Sequence, residues 1–387
     1  MLTPHAAAAV AEPAALGAPA PSGPDPVSGG LELSVVVPTF NESGNIQLLL
    51  TRLDEALRGI AWEVIFVDDD SPDGTAAAIR ALAQTDRRVR CLHRIGRRGL
   101  STAVIEGMLA SSAPYLAVID ADLQHDERLL PLMLAMIKAE ELDIVVGSRH
   151  AAGGGVGDWD RRRVAISGLA ARLARLVVAA ELADPMSGFF LLSRPAFESA
   201  VKHLSGQGFK ILLDLFASTP VAYRFKEIPY VFGQRHHGES KLDTLAVWEY
   251  LLLLVDKMLG GYIPIRFVSF AAVGASGVAV HFLVLYLGLK ALAFPAAQAV
   301  ATFLAMTSNF VLNNMLTYRD RRLTGARFAT GLLSFYAVCS LGAVANVGIA
   351  SAAFAHHYTW WLSGLAGAAV GVVWNYAVSS VLTWQRR

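Results

Sequence analysis

Val118-Ile119-Asp120-Ala121-Asp122-Leu123-Gln124 is the stretch around which the chain is organised. An apolar run leads into two carboxylates one residue apart. In an extended segment residues i and i+2 point to the same side, so Asp120 and Asp122 are placed to face one ligand together. Two hard oxygen donors at a strand end suit Mg²⁺ or Mn²⁺ held between the protein and a diphosphate. A polar turn after a strand gives the same pattern, because Asp is common in turns. The flanking sequence decides between the two.

On both sides of this stretch, β-branched runs alternate with helical patterns. Leu33–Val37 reads as a strand ending at Pro38. Asn41-Glu42-Ser43 follows, with Ser43 the expected N-cap of a helix carrying Ile46, Leu49, Leu50 and Leu53. Glu63–Val67 is the next strand, ending in Asp68-Asp69-Asp70-Ser71. Strands are expected at Val89–Leu92, Tyr115–Ile119 and Asp143–Val146, and a helix at Gly99–Leu109. This alternation implies an α/β layer on a largely parallel sheet. In such sheets ligands bind beyond the carboxyl ends of the strands. Pro38–Glu42, Asp68–Asp70 and Asp120–Asp122 all lie at such ends, although Asp69 also suits a helix cap. The chain has no G-x-G-x-x-G or Walker loop, which argues against a dinucleotide or P-loop site.

Further along, Arg161–Glu181 reads as a helix with Arg172 and Arg175 among its apolar positions, either resting at a membrane surface or facing the core. Asp184–Leu192 and Glu227–Phe232 read as strands, and Phe209–Phe216 as a helix. Gln234–Lys241 is a polar loop whose His236 and His237 are expected in solvent. Val247–Leu259 reads as an apolar helix.

The 387 residues suffice for two or three domains; 54% are hydrophobic and 17% charged. Ordinary soluble proteins carry about 25% charged residues, so part of this chain is expected in lipid. Residues 1–30 are rich in Ala, Pro and Gly and read as a disordered tail, without the basic start and apolar run of a secretory signal. The net charge of +1 argues against a nucleic-acid partner. Arginines cluster at Arg94, Arg97 and Arg98 and at Arg161, Arg162 and Arg163, most of them expected on a solvated face. Cys91 and Cys339 are far apart, so no disulfide is expected, and a reducing compartment fits.

Beyond residue 261 the charges almost vanish from long blocks. Val268–Leu289, Ala291–Thr317, Phe328–Tyr358 and Thr359–Trp384 hold no Asp, Glu, Lys or Arg, and each reaches the roughly 20 residues needed to span a bilayer. Four transmembrane helices are predicted. Lys257 and Arg266 precede the first, Arg319, Arg321, Arg322 and Arg327 separate the second from the third, and Arg386 and Arg387 follow the last. The opposite loops carry Lys290 and two histidines. The positive-inside rule then places both termini and the α/β half in the cytoplasm, in a multi-pass protein of the cell membrane. Ser269–Val273 is similar to Ser334–Val338, and Asn309–Leu312 to Asn375–Val378, at offsets of 65 and 66 residues. A repeat of two helices implies parallel helical hairpins. Asn309, Asn313, Asn314, Asn346 and Asn375 are expected to bond between helices.

Pro38–Glu42, Val67–Thr75 and Asp120–His125 together resemble family 2 glycosyltransferases with a GT-A fold. Gly147-Ser148-Arg149, Ser187-Gly188-Phe189, Gly208–Leu212 and Gly238–Leu242 narrow the resemblance to polyprenyl-phosphate hexosyltransferases, especially dolichol-phosphate mannose synthases. The membrane half resembles the GtrA-type domain fused to some of them. The implied organisation is a tail at 1–30, a GT-A domain at 31–245, an amphipathic linker at 246–265 and a GtrA-like domain at 266–387.

The implied activity is inverting transfer of mannose from GDP-mannose to a polyprenyl phosphate at the cytoplasmic face of the lipid bilayer. UDP-glucose as donor, and translocation of a lipid-linked sugar, are the alternatives; homo-oligomerisation stays open. The resemblance implies that Pro38, Phe40, Glu42, Val67 and Asp69 hold the nucleotide. Asp120, Ala121, Asp122 and Gln124 would hold the donor diphosphate, with Asp120, Asp122 and Gln124 on the metal. Arg149, Arg163 and Ser167 would meet the lipid phosphate, and Arg235 and Lys241 would close over the donor. Asp122, Arg149, Arg163 and Ser167 are the implied catalytic set. The chain departs from the family pattern at Asp126-Glu127, where two prolines are common, at Ser101, where Gly is common, and at Asp214, where Glu is usual.

Overall fold

The computed structural model describes residues 30–157, 161–206, 208–233, 244–260 and 262–385. The chain divides into Met1–Gly30 and Leu31–Arg387, and the second unit carries everything below. Its strands are β1 (Leu33–Thr39), β2 (Trp62–Asp68), β3 (Val89–His93), β4 (Tyr115–Val118), β5 (Ile144–Ser148), β6 (Phe190–Ser193) and β7 (Phe225–Pro229). Helices α1 (Ile46–Ala56), α2 (Thr75–Ala83), α3 (Leu100–Ala110), α4 (Leu130–Ala139), α5 (Arg161–Ala174), α6 (Arg194–Val201), α7 (Ile211–Ser218) and α8 (Thr244–Met258) complete the α/β half. Then come α9 (Ile265–Gly288), α10 (Phe294–Leu312), α11 (Ala326–Ala355) and α12 (Trp360–Leu382).

The strands form one mixed sheet in the order β3-β2-β1-β4-β6-β5-β7. β6 runs antiparallel to both β4 and β5. Strand alternation explains the three layers. Val35, Val37, Val64 and Phe66 point into one core with α1 and α4, while Val36, Ile65 and Val67 point into the other with α3, α6 and α7. Burying each such side chain contributes roughly 1.5–3 kcal/mol.

Three local expectations differ from the structure. Ser43 does not cap α1: the N-cap is Asn45, and the Ser43 N–H donates instead to Asp73 Oδ2 at 3.1 Å. Asp184–Phe189 is a loop rather than part of a strand, because Asp184 turns inward to bond Arg149. The helix expected over Arg161–Glu181 ends at Ala174. Within the apolar segment expected at Val247–Leu259, Tyr250, Leu253 and Leu254 join the α/β core, and Lys257 Nζ reaches Asp214 Oδ1 at 2.5 Å.

α9 to α12 supply four helices long and apolar enough to cross a membrane. They form two hairpins, α9–α10 and α11–α12, and the repeat is visible atom by atom. Ser269 Oγ lies 2.8 Å from Thr317 Oγ1, and the equivalent Ser334 Oγ lies 3.1 Å from Thr383 Oγ1. Gly277 packs against the Asn309 amide, and the equivalent Gly342 against that of Asn375. Tyr318 and Trp384, themselves equivalent, stack on each other at 4.1 Å and 6°. Two matching residues in mutual contact place a pseudo-twofold axis between the hairpins.

The asparagines divide. Asn314 Oδ1 accepts from Trp384 Nε1 at 3.2 Å and so joins the two hairpins. Asn313 bonds within its own helix, to Asn309 O. Asn309 Oδ1 and Asn375 Oδ1 accept no hydrogen bond among the described residues.

Candidate active site

Because β2, β1 and β4 are neighbours and parallel, their carboxyl ends lie side by side. That brings Pro38–Glu42, Asp68–Asp70 and Asp120–Gln124 to one edge. The first two segments are stitched together. Asp69 N–H donates to Thr39 O at 3.0 Å, Asn41 N–H to Ser71 Oγ at 3.0 Å, and Glu42 N–H to Thr75 Oγ1 at 3.0 Å. Glu42 Oε2 accepts from Asn45 Nδ2 at 2.7 Å. The Val67 side chain is fully buried in the core, so only its backbone reaches this edge.

Asp69 is buried and does not cap α2, whose N-cap is Gly74. Its Oδ2 accepts the Gly99 N–H at 2.7 Å and its Oδ1 lies 3.3 Å from Arg94 Nε. Burial raises the Asp69 pKa, opposed by the Gly99 N–H and by Arg94, and burial likewise lowers that of Arg94. Arg94 is therefore core-facing, unlike the exposed Arg97 and Arg98 of the same cluster. Arg98 lies 4.2 Å above the Phe40 ring.

β4 stops at Val118, and Asp120–Gln124 is a turn with Leu123 at φ 63°. The two carboxylates are thus set by turn geometry and not by strand alternation. Asp122 is buried and its Oδ1 accepts from Gln124 N at 3.2 Å. Asp120 is held from below by His125, whose Nδ1 accepts the Asp120 N–H at 3.2 Å while Nε2 lies 3.7 Å from Asp120 Oδ2. Burial lowers the His125 pKa to about 4, so the ring is neutral, with its proton on Nε2 facing Asp120. Phe189 stacks on that ring at 5.4 Å. Gly147 and Gly188 are required by this packing. A Cβ on Gly147 would sit 2.4 Å from Phe189 Cδ1, and one on Gly188 would sit 3.0 Å from Asp120 Oδ2.

Gln124 and Gly233 exchange two bonds, Gly233 N–H to Gln124 O and Gln124 Nε2 to Gly233 O, both at 2.8 Å. Arg235 and Lys241 follow in sequence and lie outside the described residues. Among described residues no group of three His, Cys, Asp or Glu side chains is gathered for a metal. Mg²⁺-type sites beside a diphosphate need only one or two carboxylates, the phosphates and water supplying the rest. Asp120 and Asp122, with the Gln124 amide oxygen, fit that requirement.

Arg149 is buried, and its guanidinium grips Asp184 through Nε–Oδ2 at 2.7 Å and Nη2–Oδ1 at 2.8 Å. Burial acts to lower the Arg149 pKa, but the hydrogen bonds and charge of Asp184 carry it above its ordinary value. Burial acts to raise Asp184, and Arg149 brings it below the usual 3.8. Glu227 in turn accepts the backbone N–H groups of Ala183 and Asp184. Ser167 Oγ lies 3.4 Å from Nε2 of His150, the neighbour of Arg149. Ser167 thus reaches the residue that follows Arg149, while the Arg149 guanidinium itself is turned to Asp184; the Arg163 side chain lies outside the described residues. Asp184, His150 and Arg98 were not singled out by the motifs. Asp184 carries the one local signal, a lone acid between apolar residues.

Residues 34–200 match the model of glycosyl transferase family 2, and residues 269–384 match that of the GtrA/DPMS transmembrane domain. A dolichol-phosphate mannosyltransferase from Pyrococcus furiosus is 34% identical over 360 residues, which span 92% of this chain and 99% of the relative. The chain belongs to the dolichol-phosphate mannosyltransferase family. It is a glycosyltransferase with a GT-A catalytic fold and a multi-pass membrane half. A second family member, from Mycosarcoma maydis, is 38% identical over 61% of this chain and 82% of its own. Among solved structures, glucosyl-3-phosphoglycerate synthase from Mycobacterium tuberculosis in complex with Mn²⁺, UDP and phosphoglyceric acid is similar at a TM-score of 0.44. It is 21% identical, with 61% of this chain and 80% of that chain covered.

The departures from the family pattern have local explanations. Asp126 caps the short turn Glu127–Leu129 by accepting from Arg128 N, and Glu127 is buried 3.9 Å from Arg52. Ser101 spends its hydroxyl on Gly208 O at 2.9 Å. Asp214 accepts from Ser205 N–H and Oγ, Gly206 N–H and Ser218 Oγ, and pairs with Lys257.

Proposed function

We propose that this chain transfers mannose from GDP-mannose to a polyprenyl phosphate, with inversion, giving a β-linked polyprenyl-phosphate mannose. The supporting observation is the convergence of three strand-end polar segments on one edge, with an arginine held ready beside them. The Pyrococcus furiosus relative named as a dolichol-phosphate mannosyltransferase matches 92% of this chain. Pro38, Phe40, Glu42, Asp69 and the Val67 backbone would frame the nucleotide. Arg98, already over Phe40, would lie beside it.

Asp120, Asp122 and Gln124 would hold a divalent cation, either Mg²⁺ or Mn²⁺. Such a cation supplies charge neutralisation for a diphosphate leaving group. An oxygen of the acceptor phosphate forms the bond to the anomeric carbon as the bond from that carbon to the nucleoside diphosphate breaks. The acceptor is ionised at neutral pH, so the site needs a cationic cradle that orients it and no strong base. Arg149 and Arg163, with Ser167, would form that cradle. Asp184 fixes the Arg149 fork, and neutral His125 fixes Asp120. Arg235 and Lys241 would close over the donor.

We assign residues 31–245 to catalysis, with α8 of the 246–265 segment packed on that half, and residues 266–387 to the membrane. Lys257, Arg266, Arg319, Arg321, Arg322 and Arg327 flank one end of the spans, which supports a cytoplasmic catalytic half in the cell membrane. The test is to incubate purified full-length protein with labelled GDP-mannose or UDP-glucose, each with polyprenyl phosphate. Label entering lipid from GDP-mannose supports the assignment. Label entering only from UDP-glucose transfers the reading to a glucosyltransferase, and none from either refutes it.

A further inference from the structure

A cavity of about 710 Å³ opens between the α/β half and the ends of α11 and α12. It is separate from the strand-end site. Arg97 lines one wall, and Arg321, Arg322 and Arg327 line the other together with Ser334 and Leu382. No Asp or Glu is among the described lining residues. Arg97 is partly neutralised by its ion pair with Glu106, and Arg321 Nη1 donates to Trp384 O at 3.2 Å. Arg322 and Arg327 are exposed and make no ion pair among the described residues. Leu382 lines the cavity and is 54% exposed, and on the same two helices Leu333 is 68% exposed and Val381 64%. Cations in the cavity and bare hydrocarbon on the helices that line it fit an anionic headgroup with its chains running down α11 and α12.

We propose that this cavity binds the phosphate headgroup of an anionic membrane lipid, at a site distinct from the acceptor cradle. The wall that carries Arg97 continues into the nucleotide site. Gly96 N–H donates to Asp70 Oδ2 at 3.0 Å, Arg98 covers Phe40, and Gly99 N–H binds Asp69. A headgroup bridging Arg97 to Arg322 and Arg327 therefore also steadies the loop that closes one side of the nucleotide site. The inference stands on the cavity alone and does not depend on which sugar is transferred.

The test uses the full chain in nanodiscs of phosphatidylcholine doped with phosphatidylglycerol, with retained lipid counted by native mass spectrometry. The wild type retains phosphatidylglycerol over phosphatidylcholine, and Arg322→Gln with Arg327→Gln lowers that retention about tenfold or more. Arg322→Lys with Arg327→Lys keeps most of it, which holds the test open should the glutamine pair fold poorly. Arg319→Gln, on the same loop but outside the cavity, leaves retention unchanged. A separate arm adds inorganic phosphate to neutral nanodiscs and follows the melting temperature. Equal retention of both lipids, equal loss in Arg319→Gln, or no loss in the glutamine pair overturns the site. Stabilisation by inorganic phosphate without phosphatidylglycerol retention overturns the lipid assignment in favour of a soluble anion.

Discussion

Replacing Asp184 with Ala tests the buried pair on which the acceptor side of the site rests. The Arg149 side chain is 9% exposed and that of Asp184 0%, and three hydrogen bonds of 2.7, 2.8 and 3.1 Å join them. Deleting the carboxylate strands a buried guanidinium, and breaking such a pair costs about 3–5 kcal/mol. A domain of this size loses about 2–4 °C per kcal/mol, so the melting transition of the catalytic half should fall by roughly 6–20 °C in detergent. The pair also has a pH signature. The folded pKa of Asp184 lies below its ordinary 3.8, so its stabilisation is present above about pH 4 and is lost as pH falls through the lowered folded value. Asp184→Asn should blunt that acid loss. Arg149→Met with Asp184→Leu should recover much of the stability, because an apolar pair avoids the desolvation cost, yet leave transfer to polyprenyl phosphate crippled. An unchanged melt in Asp184→Ala refutes the buried-pair argument, and full transfer by the apolar double variant refutes a role for Arg149 at the phosphate.

Asp122→Ala should lower transfer by more than about 10²-fold, since a bound cation contributes several kcal/mol to stabilising charge; an Mg²⁺ titration beside a melting curve separates this from unfolding. Gly147→Ala forces a methyl into the Phe189 ring at 2.4 Å and should cost about 1–3 kcal/mol. Transfer should fall with it, because Phe189 supports His125, and Phe189→Leu in the same chain should restore part of the stability. Gly277→Ala and Gly342→Ala place a Cβ 2.2 and 2.1 Å from the Asn309 and Asn375 amide oxygens. The pseudo-twofold predicts similar losses on unfolding in detergent, relieved by Asn309→Ala and Asn375→Ala respectively.

Local pattern was enough to place most strands, both hairpins and the three polar strand ends. Apolar period and turn residues are properties of neighbouring positions, and an uncharged block must span or be buried whatever surrounds it. Even the repeat was legible, since its offsets of 65 and 66 are a sequence property; its meaning as Tyr318 stacked on Trp384 was not. Strand alternation predicts a shared face for Asp120 and Asp122, whereas β4 stops at Val118 and a turn sets the two carboxylates.

The sequence by itself determined the α/β and membrane halves, the strand-end carboxylates and the arginine-rich loops. Tertiary structure alone decided that β2, β1 and β4 lie side by side, that β6 reverses direction, and that Asp184 meets Arg149 across 35 residues and Gln124 meets Gly233 across 109. Those contacts join positions remote in the chain, and their free energy comes from burying and pairing groups that no local window contains together. A lone Asp in an apolar loop shows its purpose only once the guanidinium it neutralises is folded against it.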